Sequence, residues 1–441
     1  MVEVFFHKEP ERIGGGITEI KYNNHRLIID MGAELQFAPF GRSINLDTKD
    51  IGELNPQIEG VTIGNADCDG VLISHYHEDH IGLLRYVLPE VPVYMSKVCR
   101  DISLTIKNRL KNAGHIDPSD NSIACLERAH VFTLADFGRD IEIGPFAVRP
   151  LRVDHSAFDA LAYLITVGGK RIFFTGDFRN HGYTGKKFFQ LLNYYVGKVD
   201  VLLIEGTMLG REDKEFSEWE LSKEMQEVCA KYKYVLYLGS STNIDSLFSI
   251  SNAAKYTDKK LCLDAYQKDI LQIVADNSSS TFYKRDLESK DYHKNGLVIA
   301  MRMSQLGFAK KFYEKYGDES AIIYSLWEGY VERDEELKAL SKLWGEKFIP
   351  LHSGGHASID ALERTLAICT DERTTIIPMH VNAVDDFRKL ATKGNVVAMH
   401  KGWSLDIESN ESNPNNSHYT NHKMDYPRRK GEFGYKKACD S

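Results

Sequence analysis

The chain has 441 residues, of which 42% are hydrophobic and 27% are charged, and its formal net charge is −8 at pH 7. These values are typical of a soluble globular enzyme. The acidic balance excludes an overall basic coat for nucleic acid, but it is compatible with a local basic groove around an acidic site. No apolar run approaches the roughly 20 residues of a membrane-spanning helix.

Length and cysteine usage limit the architecture further. The length corresponds to about three domain-sized units, or to one large fold with an insertion. The seven cysteines are scattered and form no CxxC pair, which predicts reduced thiols that mostly pack in the core. The amino-terminal apolar stretch is too short and too acidic for a signal peptide, so we expect a cytoplasmic protein.

The first predicted strands are short apolar runs at residues 4–6, 17–21 and 27–29. Asp30 follows the third run, and its carboxylate either hydrogen-bonds a neighbouring loop or only shapes a turn. Three glycines at 14–16 precede the second strand, and we interpret them as a tight hairpin connection.

The apolar run 71–73 leads into the sequence Ser-His-Tyr-His-Glu-Asp-His at 74–80, and an apolar stretch follows. This pattern is typical of a loop at the end of a buried strand that leads into a helix. The loop offers His75, His77, Asp79 and His80, and imidazole and carboxylate groups are the usual ligands of zinc and similar ions. The alternative, a polar surface loop rich in histidine, fits this spacing beside an apolar strand poorly.

Further predicted strands also deliver one ligand-type residue at their carboxyl ends. The run 146–153 ends at Asp154 and His155, the run 171–174 leads to Asp177, and the run 201–204 ends at Glu205. Gly168 and Gly169 separate two of these strands as a hairpin turn. A rigid sheet can thereby hold a site in place and leave it open to substrate.

The sequence pattern changes from about residue 209 to residue 345, where predicted helices alternate with strands. This βαβ pattern predicts a parallel sheet covered by helices. Ser241 and Asn243 lie between a strand and a helix, where they could hold a phosphate or serve as an ordinary helix cap. A basic helix at 96–112 fits a solvated face better than a nucleic-acid contact.

The strand-to-ligand pattern then resumes. The run 348–351 leads into the sequence His-Ser-Gly-Gly-His at 352–356, and the run 374–379 leads to His380. Residues 396–400 are interpreted as the last strand. Beyond about 408, Asn, Ser, Pro and charged residues dominate, which predicts a flexible tail.

The strand ends together supply more ligands than one tetrahedral ion can use, and the number suits two divalent ions that share a carboxylate. Asp177 is the natural bridge. The predicted metal ligands are His75, His77 and His155 on one ion and Asp79, His80 and His380 on the other. Two ions about 3.5–4 Å apart can activate a bridging hydroxide as an in-line nucleophile for a phosphodiester. We expect Zn²⁺, with Mn²⁺ or Mg²⁺ as alternatives.

These motifs resemble the metallo-β-lactamase superfamily. The run His75-x-His77-x-Asp79-His80, the Asp-His-Ser at 154–156 and the Thr-Gly-Asp-Phe at 175–178 carry the resemblance. The sequence Glu-Gly-Thr at 205–207, His356 and His380 resemble the three extra motifs of the β-CASP nucleic-acid-processing branch, most closely those of its ribonuclease J group.

The resemblance implies an α/β fold, a metallo-β-lactamase αββα sandwich with an inserted β-CASP α/β domain. The implied boundaries are 1–208 for the first part of the sandwich and 209–345 for the insertion. Residues 346–408 would complete the sandwich, and 409–441 would form the tail.

The resemblance also implies roles for single residues. Asp79, Glu205 and His356 would be catalytic: His356 would contact the scissile phosphate and help protonate or stabilise the leaving oxygen, and Glu205 would orient the metal-site histidines by hydrogen bonding. A histidine at position 380 resembles the RNA-processing members of the branch.

One departure concerns the 5′ end of a substrate. The family pattern His-x-Ser-Gly-His has its serine at the position of Gly354, whereas this chain carries Ser353 one position earlier. In the ribonuclease J group this neighbourhood binds an RNA 5′-monophosphate. His352, Ser353 and Gly354, with Ser241 and Asn243, are therefore candidate contacts for a substrate phosphate.

The expected function is a two-metal ribonuclease, exonucleolytic in the 5′→3′ direction, endonucleolytic or both. Alternatives are a DNA-processing nuclease of the same branch, a small-molecule hydrolase of the superfamily, and a catalytically silent RNA-binding protein. The expected partners are RNA and a second copy of the chain in a homodimer, with no membrane.

Overall fold

The computed structural model describes residues 1–34, 56–211, 216–287, 295–381 and 384–407. Within these ranges it contains strands and helices of an α/β protein. The strands are β1 Val2–Phe6, β2 Thr18–Tyr22, β3 His25–Ile29, β4 Gly70–Leu72, β5 Val93–Ser96, β6 His130–Phe132, β7 Ile141–Ile143, β8 Phe146–Arg152, β9 Leu161–Val167, β10 Lys170–Phe174, β11 Val201–Glu205, β12 Tyr234–Gly239, β13 Lys260–Cys262, β14 Leu297–Met301, β15 Ser320–Ser325, β16 Phe348–Pro350, β17 Thr375–Met379, β18 Asn395–Val396 and β19 Ser404–Ile407.

The α-helices alternate with the strands over most of the chain. They are α1 Glu78–Ile81, α2 Lys97–Asn112, α3 Ser122–Arg128, α4 Phe188–Leu191, α5 Glu218–Lys231, α6 Ile244–Tyr256, α7 Ala265–Asn277, α8 Leu306–Tyr316, α9 Gly329–Arg333, α10 Glu335–Trp344, α11 Ile359–Cys369 and α12 Val384–Leu390. None of the helices in the described ranges combines the length and the apolar character that crossing a membrane would require.

Two seven-stranded sheets pack face to face. The first has the order β19-β1-β2-β3-β4-β5-β6 and the second the order β18-β17-β11-β10-β9-β8-β7. Inward side chains of both sheets, such as Val4, Leu27, Ile165 and Leu203, share one buried core. The outward face of each sheet packs against helices, and the result is the expected αββα sandwich.

The third sheet is parallel and has the order β13-β14-β12-β15-β16. Its strands are buried apolar runs between helices, as a parallel sheet requires. Helix α10 covers one face through Leu337, Leu340 and Trp344. Strand β16 pairs with β15, so the parallel sheet extends to Pro350.

Local sequence explains several of these elements. Gly168 and Gly169 both have positive φ, 56° and 74°, and they form the predicted hairpin turn between β9 and β10. Ser217 and Glu220 form a capping box at the start of α5.

Two local predictions are wrong. The glycines at 14–16 do not form a tight hairpin. Instead, the segment between β1 and β2 reaches the histidine motif, where the Gly15 amide donates to the carbonyl of Asp79 at 3.2 Å. Residues 396–400 do not form the last strand, since β18 ends at Val396 and the described chain ends in β19 on the first sheet. The predicted tail, 409–441, lies outside the described residues.

Candidate metal centre

Asp30 holds the histidine motif in place through hydrogen bonds. Its Oδ1 accepts the Ser74 amide at 2.7 Å, and its Oδ2 accepts the Ser74 hydroxyl at 2.9 Å. His80 approaches the same Oδ2 through Nδ1 at 2.8 Å, so Nε2 is the nitrogen left for a ligand. Such carboxylate support sets the tautomer of a metal-binding histidine. Of the two interpretations of Asp30, the hydrogen bond to the loop is the one that the geometry shows.

The first cluster of ligand-type side chains is His75, His77 and His155. Their nitrogens converge: His75 Nε2 lies 3.0 Å and His155 Nε2 lies 3.2 Å from His77 Nδ1. Burial, followed by the charges of neighbouring histidines, lowers the pKa of His75 and of His155 well below the ordinary value. Neutral imidazole is the form that binds a metal ion.

The second cluster is Asp79, His80, Asp177 and His380, all of them buried. Asp177 faces both histidines, since its Oδ2 lies 3.2 Å from His80 Nε2 and its Oδ1 lies 3.6 Å from His380 Nδ1. Burial alone would raise the pKa of Asp177. The surrounding histidines, led by His380, nevertheless hold this pKa well below its usual range. The carboxylate is therefore ionised, as a metal ligand must be.

Unsatisfied nitrogens test whether metal ions fit these clusters. Among the described residues, both ring nitrogens of His380 are buried without a hydrogen-bond partner, and His80 Nε2 makes no hydrogen bond of favourable geometry although Asp177 Oδ2 lies 3.2 Å away. Buried polar atoms without partners are costly and rare in folded proteins, and a divalent cation would satisfy these. The donor set of imidazoles and carboxylates suits zinc and manganese, so the residues present fit two ions.

Glu205 and His356 form a third cluster against Asp177. His356 Nδ1 lies 3.0 Å from Glu205 Oε2 and 3.7 Å from Asp177 Oδ2. Burial would lower the pKa of His356, but the carboxylates of Glu205 and Asp177 raise it to about 9. Glu205 also accepts the amides of Phe178 and Ala357 through Oε1, at 2.9 and 3.3 Å.

The orienting role of Glu205 stays a prediction, and within the described residues the histidine that Glu205 hydrogen-bonds is His356. The reason is the position of Glu205 at the end of β11, beside the amide of Ala357, where its carboxylate reaches the 356–357 backbone and the neighbouring ring.

The candidate phosphate contacts lie on two loops. Ser353 is completely buried and donates its hydroxyl to the carbonyl of Phe216 at 2.8 Å. The hydroxyl proton is therefore already used inside the protein, and a contact between Ser353 and a substrate phosphate stays a prediction. At Gly354, in contrast, an added Cβ would meet no heavy atom within 4 Å, so this position faces open space.

The second loop joins β12 to α6. Asn243 caps the helix, since its side chain accepts the Ser246 amide at 3.5 Å. The Ser241 hydroxyl is buried, and no residue in the described ranges hydrogen-bonds it. The loop reaches the metal motif, because the Tyr76 hydroxyl donates to the carbonyl of Thr242 at 2.8 Å. His352 is half-buried on the facing loop.

The basic helix predicted at 96–112 is α2, and its charges are largely paired. Lys107 contacts Glu78 at 3.1 Å, and Arg109 contacts Asp269 at 2.5 Å. These pairs favour the solvated, ion-paired face over a nucleic-acid contact.

Sequence patterns missed two residues near the site, Arg179 and His181. Both donate to the carbonyl of Gly354, at 2.9 and 3.1 Å. Arg179 follows Asp177 closely along the chain, and that proximity was a usable signal. The partners that define its role lie on other elements and could not be found from spacing.

Comparisons with known proteins agree with this geometry. Residues 52–233 match a family model described as a beta-lactamase superfamily domain. Ribonuclease J from Mycoplasma genitalium is 23% identical over 432 residues, which cover 89% of this chain and 71% of that protein. Ribonuclease J from Mycoplasma pneumoniae is 23% identical over 406 residues, which cover 84% of this chain and 66% of that protein.

A solved structure shows the same fold. It belongs to a protein of unknown function from Enterococcus faecalis V583, with a TM-score of 0.71 at 19% sequence identity, covering 92% of this chain and 99% of that chain. The domain match and the two relatives support a ribonuclease J-like chain with a metallo-β-lactamase domain, and the solved structure supports the same fold.

Proposed function

We propose that the protein is a ribonuclease that hydrolyses RNA phosphodiester bonds with two divalent ions. The observation that carries the proposal is the pair of buried ligand clusters with unsatisfied imidazole nitrogens, directly beside the Glu205–His356 pair. His75, His77 and His155 would hold one ion, and Asp79, His80 and His380 the other, with Asp177 between them.

The bound ions would lower the pKa of a water molecule and stabilise the charge that develops on the phosphoryl oxygens. The chain's own residues supply the remaining functions. Asp30 and Ser74 keep His80 in one tautomer. Glu205 occupies His356 Nδ1, so Nε2 is the ring nitrogen available to contact the phosphate and to give a proton to the leaving ribose oxygen.

RNA is the proposed substrate for two reasons. Two curated relatives that cover most of the chain are named ribonuclease J, and His380 resembles the RNA-processing members of the β-CASP branch. The competing candidate is a DNA nuclease with the same chemistry. Single-stranded RNA and single-stranded DNA of one sequence distinguish the two, since the proposal requires the RNA to be degraded much faster.

The central test is RNA cleavage by the purified protein with added zinc or manganese. His77→Ala and Asp177→Ala should abolish cleavage and leave the far-ultraviolet circular dichroism unchanged. Undiminished cleavage by both variants would contradict the proposal. End-labelled RNAs with a 5′-monophosphate, a 5′-triphosphate or a 5′-hydroxyl report in the same assay whether cleavage proceeds from the 5′ end or occurs internally.

A further inference from the structure

Arg179 lies at the centre of a buried ion cluster that joins the sandwich to the inserted domain. Its guanidinium is completely buried. It lies 3.4 Å from Asp154 Oδ1, 3.2 Å from Glu218 Oε1 and 2.9 Å from Asp245 Oδ2. Asp154 follows β8 of the sandwich, whereas Glu218 begins α5 and Asp245 lies on α6 of the inserted part. One side chain thus bridges the two parts of the molecule.

The same guanidinium also holds the loop that carries His356. Arg179 Nη1 donates to the carbonyl of Gly354 at 2.9 Å, and His181 Nε2 donates to that carbonyl at 3.1 Å. The next carbonyl, of Gly355, accepts from His155 Nδ1 at 2.5 Å. Three side chains from the sandwich therefore fix two consecutive peptide groups of the loop 352–356.

The loop has little room to shift. A Cβ added at Gly355 would lie 2.6 Å from Ser156 Oγ and 2.7 Å from His155 Cε1, closer than real side-chain carbons approach. The backbone at 355 is thus in direct contact with a metal-ligand candidate, and His356 is the next residue. A change in the position of the Gly354 carbonyl would be transmitted to the His356 ring.

We propose that Arg179, assisted by His181, is a positioning residue that places His356 for catalysis and makes this placement depend on the docking of the inserted domain. The proposal rests on the proposed ribonuclease function. A planar guanidinium can serve three carboxylates and a carbonyl at once because its donors diverge in a fixed fork. A lysine ammonium keeps the charge but cannot reach the same set.

Arg179→Lys tests the proposal with two substrates. We expect kcat for RNA to fall about 10–100-fold with little change in KM, because the proton-transfer contribution of a positioned group is of that order or larger. Hydrolysis of bis(p-nitrophenyl) phosphate should stay within about twofold of the wild type, because its leaving group needs no proton. An equal loss on both substrates would overturn the proposal, since it would indicate a general structural role.

Arg171→Lys is the matched control. Arg171 is at the other end of the strand that leads to Asp177, and its guanidinium also donates to two backbone carbonyls, those of Lys198 and Val196. This variant should leave both substrates unaffected. In addition, Arg179→Lys combined with His356→Ala should cleave RNA no more slowly than His356→Ala alone, because both changes disable the same group. Additive losses would overturn the proposal.

Hydrogen–deuterium exchange provides a readout that needs no activity. Arg179→Lys should speed exchange of the amides at 352–357 at least tenfold and leave β10 and β11 protected. If the lysine variant does not fold, His181→Ala removes the second donor without touching the ion cluster. It must then accelerate exchange in the same loop and slow RNA cleavage selectively, and an unchanged loop would overturn the proposal. Should the wild type hydrolyse the nitrophenyl ester but not RNA, the ribonuclease function fails, and the exchange data still decide the role of Arg179.

Discussion

The ring of His356 is held by Glu205 through a contact of 3.0 Å between Nδ1 and Oε2. Because Glu205 is almost completely buried and also accepts three backbone amides, the carboxylate is rigidly placed. The pair resembles in geometry the acid-and-imidazole pairs that orient a histidine for proton transfer. The contact joins residues far apart in sequence and defines which nitrogen of His356 can face a substrate.

Glu205→Gln is expected to lower kcat for RNA by about 10²–10⁴-fold, because the amide no longer stabilises a protonated imidazole and favours the other tautomer. The metal content, measured by elemental analysis, should remain that of the wild type, since in the described part of the chain the histidine that Glu205 hydrogen-bonds is His356 and not a predicted metal ligand. Glu224→Gln, which makes the same change on the exposed face of α5, serves as the control. Full activity of the Glu205 variant would show that the pair has no catalytic role.

Metal stoichiometry tests the two ligand clusters separately. The wild type should bind two divalent ions per chain, and chelation should abolish RNA cleavage until metal is restored. His380→Ala should leave one ion, because it removes a ligand from the second cluster and leaves His75, His77 and His155 intact. His115→Ala, at an exposed position, should keep both ions. One ion in the wild type, or two in the His380 variant, would contradict the assignment.

Much of the candidate site could be predicted from sequence, because the ligands follow apolar strands. Three strands near the site, β4, β10 and β11, are largely buried on both faces. Such strands appear in sequence as continuous apolar segments with a polar residue at the end. Strand ends at the same edge of a sheet must meet in space. Asp177 and Glu205, which follow neighbouring strands of the second sheet, could therefore be expected to lie together. His75 follows β4 of the first sheet, so its approach to them depends on how the two sheets pack.

Contacts between distant side chains could not be predicted in this way. The buried hydroxyl of Ser353 and the ion cluster of Arg179 depend on how α5 and α6 dock on the sandwich, and periodicity carries no information about docking. His380 has a left-handed backbone with φ of 50°, which an ordinary strand pattern does not indicate. Gly354 is an exception to this rule. The sequence shows that the serine of the family pattern is replaced by Gly354, and the fold leaves open space at this position.

Gly354→Ser should increase the preference for RNA with a 5′-monophosphate over RNA with a 5′-hydroxyl by about tenfold. The added side chain fits, because a Cβ there meets no atom within 4 Å, and one new hydrogen bond to a charged phosphate is worth about 1.5–3 kcal/mol. Gly307→Ser, where an added Cβ also meets nothing within 4 Å, is the matched control and should not change the preference. The ratio of cleavage rates on the two RNAs measures the effect, and an unaltered ratio would exclude a 5′-phosphate contact at this position.

Stability in acid is expected to depend on Glu19, a completely buried carboxylate on β2. Burial alone would raise the pKa of Glu19. Hydrogen bonds from His7 and Arg26 nevertheless lower this pKa to about 2 from the ordinary 4.5. Between these values the folded protein binds fewer protons than the unfolded chain. The stabilisation is therefore fully present above pH 4.5 and is lost as the pH falls towards 2.

The difference amounts to about 3 kcal/mol. Urea denaturation of the wild type and of Glu19→Gln, at several pH values from 7 to 3, measures it. The gap between the two free energies of unfolding should be largest at neutral pH and should shrink as the pH falls below 4.5. Acid also releases bound metal ions, and this loss destabilises both proteins equally. Only the difference between their two free energies of unfolding therefore reports on Glu19. A gap that stays constant down to pH 3 would show that the carboxylate has the same pKa in the folded and unfolded states.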